Sequence, residues 1–220
     1  MNLRPQFRFH AAVLLASVWG LSEAALGMCL RQCAAVLSGS LMTGAALFFL
    51  AAGWALTRRY WTIALMVLVA ALFKLFDALL LGLPIMHGAI GNPIFAFILE
   101  GAALVLFLAV LKTTLFKKMP GQAILGGLAA GLAVCLFPLV RFATGVPACV
   151  AAGTGIPLSI YYAYVAVGVS LLTVPAGFWL GHRISSFEPR WKRTRPAAAG
   201  LLSSAVLAVC LAAIYLIRTV

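Results

Sequence analysis

Apolar runs of near-uniform length alternate with short polar interruptions along the chain, and no run shows strict apolar/polar alternation. Seven runs reach span length, at about 10–29, 38–56, 62–83, 93–115, 121–140, 158–180 and 198–217, each near the ~20 residues that cross bilayer hydrocarbon as a helix. Backbone inside lipid must satisfy its own hydrogen bonds, so these runs predict helices, and the missing alternation argues against a barrel. The expected fold is all-α: a polytopic transmembrane helix bundle of about seven spans, arranged as six plus one. The longest polar stretch, Gly181–Pro196, is too short for a soluble domain. It divides the chain into a six-helix membrane bundle with an outer-facing site, 1–183, and a basic cytoplasmic loop with a C-terminal transmembrane helix, 184–220. Arg4 and Arg8 ahead of the first run resemble the start of a secretory signal. Its full span length makes it an uncleaved first helix instead.

Composition agrees with the pattern. Hydrophobic residues are 65% and charged residues 9% of 220 positions, against roughly 45–50% and 25% in soluble domains. Sixteen Lys+Arg stand against four acids, for a net charge of +12. Such an excess can signal nucleic-acid binding, but its placement gives another cause. With the N-terminus cytoplasmic, one side holds Arg4, Arg8, Arg58, Arg59, Lys112, Lys117, Lys118, Arg183, Arg190, Lys192, Arg193 and Arg195. The other side holds Arg31, Arg141 and Arg218, and Lys74 falls within a span. That asymmetry is the positive-inside signal. It predicts a cytoplasmic N-terminus in a multi-pass protein of the cell (inner) membrane, with lipid around it and no nucleic-acid partner. The block Arg190–Arg195 reads as a stop signal that can also touch anionic lipid.

Ionisable residues within spans are costly and by default mark function. Counting 1.5 Å per residue, Glu23, Lys74, Asp77 and Glu100 all lie about 18–22 Å from the cytoplasmic end. Three helices thus bring three acids and one lysine to one level, in the outer third of the membrane. Asn92 and Glu100 share a face at repeated i+4 spacing. His87 lies in the loop before them, Arg141 ends the fifth span, and Tyr161, Tyr162 and Tyr164 open the sixth. The candidate substrate-binding set is therefore Glu23, Lys74, Asp77, His87, Asn92, Glu100, Arg141 and Tyr161. Two readings are open to it: a ligand or ion site, or structural pairs such as Lys74 with Asp77, and Glu23 or Glu100 with Arg31 or Arg141.

Small residues recur at every fourth position of the first run: Ala12, Ala16, Gly20 and Ala24. Such a ridge allows close helix approach, either within the chain or to a docked partner membrane subunit. Shorter ridges follow at Ala123, Gly127 and Gly131 and at Ser204, Ala208 and Ala212. The cysteines (Cys29, Cys33, Cys135, Cys149 and Cys210) show no zinc-type spacing, and the disulfide state of Cys29, Cys33 and Cys149 stays open. His10 and His182 are on the same side but make a poor case for haem. No nucleotide-binding motif occurs, so energy other than an ion gradient must come from a partner.

The segments Trp19-Gly-Leu-Ser-Glu23 and Asn92-Pro-Ile-Phe-Ala-Phe-Ile-Leu-Glu100, the Ala12-x-x-x-Ala16 pair and the small hydrophobic bundle resemble substrate-binding (S) components of energy-coupling factor transporters, over about residues 8–183. The resemblance implies capture of a scarce vitamin, precursor or metal ion near the outer face, and docking on a membrane coupling protein driven by two ATPase subunits. The seventh span departs from that family, whose members usually have six spans with both ends inside.

The expected function is an integral membrane substrate-binding subunit of a transporter, capturing a small solute or metal cation with partner subunits. Carboxylates with an imidazole would suit a divalent metal, although no metal ligand set is assigned. The alternative is a non-enzymatic membrane anchor or scaffold subunit of a larger redox or ion-translocating complex. No enzyme activity and no cofactor are expected, since an intramembrane nucleophile such as Cys149 would have only His87 as a base on its side.

Overall fold

The structure, a computed structural model, describes residues 5–33, 37–111, 114–191 and 196–219, without the side chains of Pro5 and of residues 27–33, 187–191 and 196–199. Arg4, Cys29, Arg31, Cys33, Lys112, Glu188 and the Arg190–Arg195 block therefore lie outside the described residues or side chains. The helices are α1 (Pro5–Cys33), α2 (Ser38–Thr57), α3 (Tyr60–Leu81), α4 (Gly88–Val110), α5 (Met119–Leu136), the short α6 (Val140–Thr144) and α7 (Leu158–Tyr161), α8 (Ala163–Trp191) and α9 (Pro196–Thr219). Among the described residues seven stretches are long and apolar enough to cross a membrane, with α5 and α6 joined as Met119–Thr144. The all-α bundle of seven spans is the observed architecture.

Several boundaries differ from the hydrophobic pattern for local reasons. The fourth helix starts five residues before Pro93, where His87 caps it by accepting a 3.2 Å hydrogen bond from the Ala89 N–H. The sixth run breaks at Tyr162, so Leu158–Tyr161 forms a separate turn. Its long helix α8 then runs to Trp191, across the 183/184 division read from polarity. α3 stops in a Schellman arrangement. Gly82 adopts a left-handed φ of 61°, and the Leu83 N–H bonds the Ala78 carbonyl at 3.0 Å. A glycine suits that φ because it has no Cβ to clash.

α2 is the central helix, packed along α8 and also against α1, α3, α4 and α5. Its contact with α8 is very close: Gly177 lies against the Phe48 carbonyl, and Gly181 against the Ala52 carbonyl. Backbones approach like this in membranes because dispersion and close packing, not hydrophobicity, hold helices together there. α9 is peripheral, lying along α1 and touching α3.

The first-helix ridge is used within the chain. Ala12, Ala16 and Ala24 are buried, and a Cβ on Gly20 would strike Phe73 of α3. The expectation that a partner subunit docks on Ala12, Ala16, Gly20 and Ala24 is thereby corrected: α1 packs against α2, α3 and α9, which leaves these positions no free surface. On α9 the small residues Ser204, Ala208 and Ala212 face outward instead.

The two ends of the bundle differ. At the end where α1 begins, Trp54, Phe116 and Phe178 form an aromatic cluster with ring centroids 5.6–6.4 Å apart. The Gln122 amide also donates to the Phe116 carbonyl at 2.8 Å. At the opposite end, hereafter the far end, the helices part around a cavity.

Candidate functional site

The cavity measures about 430 Å³ and is lined by the end of α1, the start of α2, the end of α3, the start of α4, the end of α5, the loop before α8 and the end of α9. Apolar walls come from residues such as Met42, Ile90, Phe97, Val134 and Phe137. Phe97 is backed by the fully buried Trp19, edge to face at 5.0 Å between centroids. The exposed lining residues Gly39, Leu81 and Cys149 belong to helix ends and the loop and mark its mouth.

Glu23, Lys74, Asp77 and Glu100 are all buried and all line this one space. Asn92 lines it as well, held by a hydrogen bond from the Thr144 hydroxyl at 3.4 Å. Five of the eight candidate residues are therefore brought together. The other three lie elsewhere, at exposed positions. His87 is occupied in capping α4, the Arg141 guanidinium sits 4.5 Å from the Phe142 ring, and the Tyr161 ring leans on Tyr162 at 4.9 Å.

Within the cavity the charges separate into two groups. Asp77 is satisfied: Arg218 of α9 donates to both of its oxygens at 2.8 Å, and Lys74 donates to Oδ2 at 3.4 Å. Among the described residues its ion-pair partners are Lys74, as expected, and Arg218 of the seventh span. Glu23 and Glu100 form the second group. Neither has an ion-paired base among the described residues, and Thr43 lines the same space. Glu100 is 3% exposed, yet its Oε2 has no hydrogen-bond partner. Ser159, on another wall of the cavity, likewise has a buried hydroxyl with no partner. A buried polar atom left unpaired costs about 1–3 kcal/mol; Trp19, Ser170 and Thr173 also carry one away from the cavity, and Glu100 is the one carboxylate among them in the described residues.

Arg218, Thr43 and Ser159 escape a reading of the sequence. Arg218 is one more base at a helix end, and hydroxyl residues are too common in membrane helices to stand out. Among the described residues no group of three His, Cys, Asp or Glu side chains converges as a metal site. His10 and His182 have separate neighbours, the Ser203 hydroxyl at 3.0 Å and Arg58 at 3.4 Å.

No family model matches the chain, and no match is found among curated proteins or solved structures.

Proposed function

We propose that this membrane protein is the solute-binding subunit of a transporter, and that the far-end cavity is its binding site. The observation that carries this reading is Glu100: a buried carboxylate oxygen without a partner, on the wall of a space large enough for a small organic molecule. Structural ion pairing accounts for Asp77, Lys74 and Arg218 but leaves Glu23 and Glu100 unexplained.

The far end is the extracytoplasmic end if the basic residues follow the positive-inside rule. Solute then enters from outside, while the Trp54–Phe116–Phe178 cluster closes the opposite end. The chain has no nucleotide-binding motif, so energy and release fall to partner subunits, as in the energy-coupling factor transporters that the sequence resembles.

A ligand screen by thermal stabilisation of the purified protein, paired with uptake assays in cells, tests the proposal. One solute class should stabilise the wild type and be taken up, with both effects lost in Glu100→Gln. Unchanged uptake in that variant, with no stabilising solute, would refute it.

A further inference from the structure

Three carboxylates and two bases line the cavity: Glu23, Asp77 and Glu100 against Lys74 and Arg218. Both bases are committed to Asp77, which leaves Glu23 and Glu100 as two acids without an ion-paired base among the described residues, and Glu100 Oε2 without a hydrogen-bond partner.

A divalent metal fits this place poorly. Calcium and magnesium need about six or more oxygen ligands, and among the described residues no three metal-binding side chains converge. The volume also argues for a larger occupant, since about 430 Å³ is many times the ~30 Å³ share of one water. Beyond the acids the walls are apolar and aromatic (Met42, Phe97, Phe137), and Ser159 supplies one further unpaired hydroxyl.

We infer that the solute is an organic monocation: a protonated amine whose charged head sits against Glu100 and Glu23, with an apolar or aromatic body along Phe97 and Phe137. Ser159 meets a single polar group at the other end of the body. The Lys74–Asp77–Arg218 cluster acts as a positioning element that ties α3 to α9 at the cavity wall. This inference rests on reading the cavity as a solute site.

The test is binding to the full chain in nanodiscs, using a size series of matched amines, alcohols and carboxylates, for example phenylpropylamine, phenylpropanol and phenylpropionate, with magnesium and manganese chloride alongside. Amines should bind and raise the melting temperature, whereas the alcohol, the carboxylate and the metals should not. Glu100→Gln should weaken amine binding at least tenfold, and the cavity-filling Ala96→Phe should abolish it while keeping Glu100. Should Glu100→Gln fail to fold, Ala96→Phe and the amine-to-alcohol ratio decide the matter. Alcohol binding as tight as amine binding, or amine binding unchanged in both variants, overturns the monocation inference. Carboxylate or metal binding that Ala96→Phe blocks overturns it too but leaves the solute site standing. No binding in any class overturns both.

Discussion

Arg218 of α9 grips Asp77 of α3 with two hydrogen bonds of 2.8 Å, Nε to Oδ1 and Nη2 to Oδ2, across 141 positions of sequence. The fork-to-fork geometry is the strong form of a charged hydrogen bond. It makes the peripheral seventh helix part of the cavity wall.

The consequences of breaking this contact are unequal on its two sides. Asp77→Asn leaves both Lys74 and Arg218 without their anion. Arg218→Gln leaves Asp77 with Lys74. Removing one member of a buried pair costs about 3–5 kcal/mol in soluble cores, whereas interhelical polar contacts in membranes average about 0.6 kcal/mol. Arg218 is at a helix end and can extend toward the interface, so Asp77→Asn should cost about 1–3 kcal/mol. Arg218→Gln should cost about 1 kcal/mol or less, and the double variant should be more stable than Asp77→Asn alone. Unfolding in mixed micelles measures all three, and equal losses for the two single variants would contradict the assignment.

Glu100 should show the opposite behaviour. Its carboxyl group is buried with one oxygen unpaired, so Glu100→Gln removes an acid that has no ion pair among the described residues. Stability of the ligand-free variant should equal or exceed that of the wild type, while solute binding falls at least tenfold, or about 1.4 kcal/mol. Binding residues commonly trade stability for function in this way. A large loss of stability with intact binding would make Glu100 a packing residue.

Two glycines of α8 provide a test of the helix packing. A Cβ on Gly177 would collide with the Phe48 carbonyl of α2, whereas one on Gly168 meets nothing within 4 Å. Gly177→Ala should destabilise by about 1–3 kcal/mol through overpacking. Gly168→Ala should be neutral or stabilise by up to about 1 kcal/mol, because alanine is the better helix former. Similar behaviour of the two would argue against the close α2–α8 approach.

The bundle was legible in the sequence because membranes leave helices as the simplest solution for long apolar runs. Depth counting also brought Glu23, Lys74, Asp77 and Glu100 to one level, since the rise per residue is fixed. What depth cannot give is azimuth. His87, Arg141 and Tyr161 lie at the right end of the bundle, but capping, a neighbouring ring and the break at Tyr162 turn them elsewhere. Arg218 was hidden because a terminal base looks like a topology signal, and its target lies on a helix distant in sequence. The small-residue ridge of α1 announced a close approach without naming its partner, which proves to be Phe73 of the same chain at Gly20.

Native mass spectrometry of the protein released from its own membranes asks what the cavity holds without choosing a probe. One small organic solute should be retained by the wild type at about one per chain and be absent from Glu100→Gln and Ala96→Phe. Lipid alone, bound equally by the wild type and both variants, would mean that the cavity is no solute site.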